Sequence, residues 1–245
     1  MKAITVIPAR LASTRLPRKL LLPLNGKPVL QHTYENACKS LKATQTFIAT
    51  DSEEIRDVAQ AFGADVILTS QSHTSGSARV AEAIADIEAD IVVNVQGDEP
   101  ELSPAYIDGL IETQEQSQAF ASTLACPFPD DVKRDDPNFV KVVFAGKIDT
   151  EHDLHWAAYF SRAAIPFSNT SNAFLHIGAY AFSRKSILAF AGTDPSDLEK
   201  AENLEQLRII SMGERIAVKV VAKSSPGIDT QADLDAANQR LAGSA

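Results

Sequence analysis

Glycine is missing where a nucleotide-binding loop would carry it. None lies between Pro8 and Lys19 in this 245-residue chain. The stretch therefore matches neither the glycine-rich phosphate loop nor the dinucleotide fingerprint, whose glycines let backbone N–H groups close on a phosphate. Cysteine is scarce too. Cys38, in a predicted helix, and Cys126, beside a predicted strand, read as buried free thiols, with no disulfide expected in a reducing compartment. No apolar run approaches bilayer length. Met1-Lys2-Ala3-Ile4 enters an apolar stretch without signal-peptide architecture, so a cytoplasmic protein with no membrane partner is expected. Positive charge is in deficit: a formal net charge of −9 argues against a nucleic-acid binder, which needs a basic face. The five histidines offer one metal-like spacing, His152-x-x-His155, in a polar segment read as surface or turn. There is no internal repeat and no low-complexity tract.

Against this acidic background one basic segment stands out. Ile4-Thr5-Val6-Ile7 is a short, β-branched run that reads as a buried strand, and Pro8, lacking an N–H, is expected to stop it. Residues 9–19 then hold four cations (Arg10, Arg15, Arg18, Lys19) and the hydroxyls of Ser13 and Thr14, with no acidic residue among them. Guanidinium forks and an ammonium clustered past a first strand suit a polyphosphate. In an open α/β sheet the ligand crevice lies at that edge.

Along the chain, Asn25-Gly26-Lys27-Pro28 is a turn. Helical spacing follows at 29–40, a strand at 46–50, and a helix at 53–62 capped by Asp51 or Ser52 and stopped at Gly63. A strand at 64–68, a polar loop at 69–76, a helix at 77–87 and a strand at 91–95 complete a β-α-β-α-β-α-β order. That order predicts a doubly wound, mostly parallel sheet with the first and fourth strands adjacent, which puts Arg10 and Asp98 on neighbouring loops. A helix at 104–118 and a strand at 120–125 lead into a loop at 126–139 rich in proline and aspartate. Apolar runs at 140–144, 156–160 and 177–182 suggest an antiparallel insertion within a single domain. Helices are expected at 183–190, 199–212 and 231–241, and a strand at 216–222.

Chemistry on a nucleoside triphosphate usually also needs Mg²⁺, which takes one or two carboxylates and keeps several waters. Asp98, directly after the fourth strand and preceded by Gly97, is the first candidate. Asp229, in Gly227-Ile228-Asp229-Thr230, is the second, though it is equally placed to cap the last helix.

Ile7-Pro8-Ala9-Arg10-x-x-Ser13-Thr14-Arg15-Leu16-Pro17-x-Lys19 resembles the signature loop of the 3-deoxy-manno-octulosonate (Kdo) cytidylyltransferases. The resemblance extends through Asn25-Gly26-Lys27-Pro28, Ser75-Gly76 with Arg79, Val95-Gln96-Gly97-Asp98-Glu99-Pro100, Tyr159-Phe160-Ser161-Arg162, His176-Ile177-Gly178-x-Tyr180, Leu204-Glu205-Gln206-Leu207-Arg208 and Asp229-Thr230, in family order over nearly the whole chain. It implies transfer of CMP from CTP to the anomeric hydroxyl of Kdo, with release of pyrophosphate, for lipopolysaccharide assembly. By the same resemblance Asp98 and Asp229 hold Mg²⁺. Pro8, Ala9, Arg10, Ser13, Arg15 and Lys19 hold the triphosphate, and Ser75, Gly76 and Arg79 lie on the cytosine and ribose side. Arg162, His176, Tyr180, Glu205 and Gln206 form the sugar-acid pocket, with Gln96 between the ligands. The family is dimeric, with residues 126–182 as the expected interface and sugar-binding subregion.

The chain departs from the family pattern at Arg18 and Leu20, at Ser77 and Ala78, and at Phe167. Arg18 stands where a glycine is usual, Ala78 replaces a glutamate and leaves Arg79 without an evident local partner, and Phe167 replaces a tryptophan. They leave the reaction type in place and bear on the sugar, so that an 8-amino analogue of Kdo is the alternative substrate. More distant alternatives are a non-catalytic nucleotide-binding protein of the same fold and a nicotinamide-dependent dehydrogenase, the latter lacking its glycine fingerprint.

Overall fold

The structure, a computed structural model, describes residues 1–73, 75–129, 132–167 and 173–243. Residue 74 of the predicted polar loop and residues 130–131 and 168–172 of the predicted insertion lie outside the described residues. The chain forms two compact units, Met1–Asp108 with Ser225–Ala245, and Gly109–Ser224. Among the described residues no helix is long and apolar enough to cross a membrane.

The first unit begins with β1 (Ala3–Ala9), the short hairpin β2 (Pro23–Leu24) and β3 (Lys27–Pro28), and α1 (Val29–Ala37). Asn25 and Gly26 both take positive φ, 46° and 84°, as a two-residue hairpin turn requires. Then come β4 (Ala43–Thr50), α2 (Glu53–Ala61), β5 (Asp65–Leu68), α3 (Gly76–Ala83) and β6 (Ile91–Asn94). These strands pair in parallel in the order β5-β4-β1-β6, so the first and fourth strands of the sequence reading are neighbours. Ile4, Val6, Ile7, Val92 and Ile48 are fully buried, which explains the unbroken β-branched runs. Ser52, not Asp51, caps α2 by accepting from Ile55 N.

Pro8 does not stop β1. It pairs with Ala49, and the strand runs on to Ala9. The reason is local. Pro8 shares the parity of Val6, whose carbonyl accepts from Val95 N, so the missing N–H faces the β6 side, and there the ladder ends at Val6.

Helix α4 (Pro104–Ser117) carries the chain into the second unit. There follow β7 (Ala121–Pro127), β8 (Lys141–Asp149), β9 (Leu154–Ser161), β10 (Ala173–Ser183), α5 (Arg184–Ala191), α6 (Asp197–Glu202), α7 (Leu207–Ser211) and β11 (Ile216–Val220). Strand order is β10-β7-β11-β9-β8, with β8 also pairing β10; β7 and β11 run parallel, and the other pairs in this order among the described residues are antiparallel. The last helix, α8 (Gln231–Ala242), belongs to the first unit.

Four further expectations need correction. The helix predicted over 199–212 is two helices, because Asn203 takes a left-handed φ of 52° and ends α6. Cys126 and Pro127 lie within β7 rather than in the following loop. Cys38 is exposed at the end of α1, while Cys126 is buried as expected. His155 is only 7% exposed; it stacks on Phe144 at 4.3 Å and bonds Asp153 at 2.9 Å, so it is a packed strand residue.

Candidate active site

The basic loop is held from behind by its apolar residues. Leu16 joins a buried cluster with Leu24, Val29, Ile228, Leu234 and Ala237, and Leu20 is buried against Gly97, where an added Cβ would lie 3.2 Å from Leu20 Cδ1. A short 3₁₀ turn, Lys19–Leu21, follows Arg18, which takes φ 57° and ψ 25°. Arg18 thus takes a left-handed backbone, which a glycine would adopt at less steric cost. Arg18 bonds Glu54 on α2, and Arg10 is exposed just beyond β1.

With Leu16 and Leu20 anchored, Arg15 and Lys19 turn toward two carboxylates. Lys19 Nζ donates to Asp98 and, at 2.8 Å, to Asp229 Oδ1. Arg15 Nη2 lies 2.9 Å from the same Asp229 oxygen. Asp98 follows β6, and its carbonyl accepts from Ile228 N at 2.9 Å, which pins the loop carrying Asp229. Asp229 does not cap α8. Thr230 does, accepting from Asp233 N in a capping box. That frees the Asp229 side chain for the cations. Burial opposes charge on Lys19, but the two carboxylates outweigh it and its pKa is raised.

Glu99 was not singled out from the sequence, although it stands inside the Gln-Gly-Asp-Glu-Pro segment. Its Oε2 is buried with no hydrogen-bond partner among the described residues. Burial, then the charges of Asp98 and Asp229, push its pKa up to about 8. Its Oε1 would lie 2.9 Å from a Cβ on Gly227, so glycine is needed there for close approach.

Two carboxylates that converge on one cation are hard oxygen donors of the kind that hold a divalent ion, with water and phosphate completing its shell. Among the described residues no group of three or more His, Cys, Asp or Glu side chains is placed to enclose a metal.

On the other side of the β1 loop, Ser75 caps α3 by accepting from Ala78 N at 3.2 Å. Gly76 lies against Pro8, where an added Cβ would be 3.3 Å from Pro8 Cγ and 3.7 Å from Gln96 Oε1. Pro8 near the end of β1, Gly76 at the start of α3 and Gln96 just past β6 thus meet. Arg79 is not left without a partner. It is 3% exposed, donating to Asp51 at 2.9 Å and to Thr69 Oγ1 at 2.6 Å. Asp51 and Thr69 follow β4 and β5, so Arg79 ties these loops together. The sequence held no signal for this pairing.

The predicted sugar-pocket residues lie in the second unit, apart from Gln96 in the first. His176 and Tyr180 share one face of β10, with ring centroids 5.5 Å apart, and Phe160 meets His176 edge-on at 5.0 Å. Desolvation lowers the His176 pKa to about 3, and its Nε2 lies 3.0 Å from Thr123 Oγ1. Burial, then the nearby Glu205 charge, raises the Tyr180 phenol well above its usual value. Glu205 lies 3.7 Å from Arg208, and Gln206 Nε2 is buried with no hydrogen-bond partner among the described residues. Arg162 does not join this group through any contact described. Its guanidinium donates to the carbonyls of Pro137 at 2.8 Å and Glu202 at 3.1 Å. Only the remaining N–H groups of its terminal nitrogens are left for a ligand.

Comparison with known proteins adds three findings. The sequence profile of a family described as "Cytidylyltransferase" matches residues 4–216. The chain is similar to a 3-deoxy-manno-octulosonate cytidylyltransferase of Pelodictyon phaeoclathratiforme (45% identical; 96% of this chain and 95% of the relative covered) and to one of Chlorobium phaeobacteroides (42%; 98% of each). It is also similar to the solved structure of a CMP:2-keto-3-deoxy-manno-octonic acid synthetase complexed with CTP, with a TM-score of 0.91, 35% identity and full coverage of both chains.

Proposed function

The chain belongs to the 3-deoxy-manno-octulosonate cytidylyltransferase family, and from that premise we propose that it transfers CMP from CTP to the anomeric hydroxyl of Kdo and releases pyrophosphate. The observation that carries this reading is the convergence of Lys19 and Arg15 on Asp98 and Asp229 at the ends of the parallel strands. A polyphosphate binder needs the cations, and phosphoryl-group chemistry needs the carboxylates beside them. The names of the relatives favour Kdo over its 8-amino analogue.

In this reading Arg10, Ser13, Arg15 and Lys19 hold the triphosphate and take up the charge that grows on the leaving pyrophosphate. Ser75, Gly76 and Arg79 border the nucleoside. Arg79, fixed by Asp51 and Thr69, acts chiefly by shaping that border. Asp98 and Asp229 would hold Mg²⁺, which when bound neutralises phosphate charge and lowers the cost of ionising the sugar hydroxyl. His176, kept neutral by burial, and Tyr180, kept protonated, offer uncharged hydrogen-bonding groups to the sugar acid, with Glu205, Gln206, Gln96 and the free N–H groups of Arg162. We also assign to the chain a doubly wound fold in one functional domain, a cytoplasmic location, a place in lipopolysaccharide synthesis, and a homodimer formed through residues 126–182.

The test is pyrophosphate release from CTP and Mg²⁺, with Kdo and its 8-amino analogue supplied side by side. Release with Kdo at the higher kcat/KM is expected. CTP binding without release from either sugar would overturn the catalytic reading in favour of a nucleotide-binding protein.

A further inference from the structure

The Lys19 ammonium has two neighbours that the reaction needs elsewhere. It donates to both Asp98 and Asp229, the pair read above as the metal-holding carboxylates. Its side chain is 11% exposed, against 29% for Asp98 and 44% for Asp229, so the ammonium lies beneath the carboxylates rather than in solvent. Arg15 adds a second cation to the same Asp229 oxygen. A divalent ion meeting that oxygen would stand a few ångströms from two positive groups, and like charges at that distance repel strongly.

We infer that Lys19 is a stand-in cation. Before nucleotide binds, it holds Asp98 and Asp229 together and keeps a divalent ion off them; the phosphates of the nucleotide then draw it away and open the pair. A four-carbon stem with a freely rotating ammonium can make this exchange, and phosphate oxygens replace the carboxylates as its partners. The exchange couples the two ligands: metal alone binds weakly, and nucleotide raises metal affinity by the factor with which metal raises nucleotide affinity. It also keeps two adjacent carboxylates from repelling each other in the free enzyme. This inference rests on the proposed role of Asp98 and Asp229.

The test is Mn²⁺ binding without nucleotide, followed by the loss of the free-ion paramagnetic resonance signal. Wild type is expected to bind weakly and Lys19→Met at least tenfold more tightly. Arg15→Ala, which frees only Asp229, should gain less. Lys19→Gln is measured beside Lys19→Met, with circular dichroism on both, so that misfolding of one does not decide the result. A folded Lys19 variant that binds Mn²⁺ no more tightly than wild type overturns the inference. The underlying reading is tested separately by water-proton relaxation with Mn²⁺ and CTP together. Loss of the enhancement in Asp98→Asn supports the pair as the site, and an unchanged enhancement removes the metal from it.

Discussion

At Arg18 the backbone takes a left-handed conformation that costs a residue with a Cβ about 1 kcal/mol. The bond to Glu54 offsets some of that cost, although both side chains are half exposed and such a pair contributes little. His176 is a second case where environment overrides type. Its folded pKa of about 3 lies well below the usual value near 6.5. The unfolded chain therefore takes up a proton that the native state refuses, and the neutral ring's contribution to stability is present above about pH 6.5 and is lost as pH falls toward 3. We expect the melting temperature to fall more steeply between pH 7 and pH 5 in wild type than in His176→Gln. Parallel pH profiles of the two proteins would show that His176 protonates freely in the fold.

At the scale of elements, α5, α6 and α7 are fastened by one side chain. Arg208 makes two bonds to Glu199, at 2.7 and 2.6 Å, donates to the carbonyls of Phe190 and Thr193, and stacks on the Phe190 ring at 4.6 Å. Both charged groups are largely buried. Removing one partner of such a pair strands the other, at a cost of about 3–5 kcal/mol. Arg208→Ala should lose about that much in urea unfolding, and a loss under 1 kcal/mol would mean that Glu199 finds water or another donor. The same contact shows what sequence pattern misses. The 199–212 stretch reads as one helix because its apolar residues keep helical spacing. Asn203 breaks it, and Arg208 then reaches back to Glu199 across the break. Element type was legible where caps and periodicity agreed, as at Ser52 before α2; at α8 the cap is Thr230 and not Asp229, the residue that the sequence offered.

For the whole molecule the prediction concerns assembly. Apolar strands populate the second unit, and Phe167 within the 126–182 segment stands fully in solvent. An exposed aromatic in a segment expected to form an interface fits burial against a second copy. Light scattering at assay concentration should give twice the monomer mass, and Phe167→Asp should shift that mass downward; a monomer in the unaltered protein would remove the dimer from the proposal.

By itself the sequence determined the local chemistry: a β-branched strand, a glycine-free basic loop, carboxylates placed after a buried strand and before the last helix, and the alternation that makes β1 and β6 neighbours. These follow from side-chain period, turn residues and charge, which act over a few residues. Tertiary structure alone decided the partners. Lys19 meets Asp229 across 210 residues, Arg79 meets Asp51 across 28, and Pro8 sits inside a strand because its neighbouring ladder has already ended. No local preference encodes such pairings. They arise because burying Leu16, Leu20 and Ile228 leaves the charged residues beside them one direction to face, and an unpaired charge there would be costly.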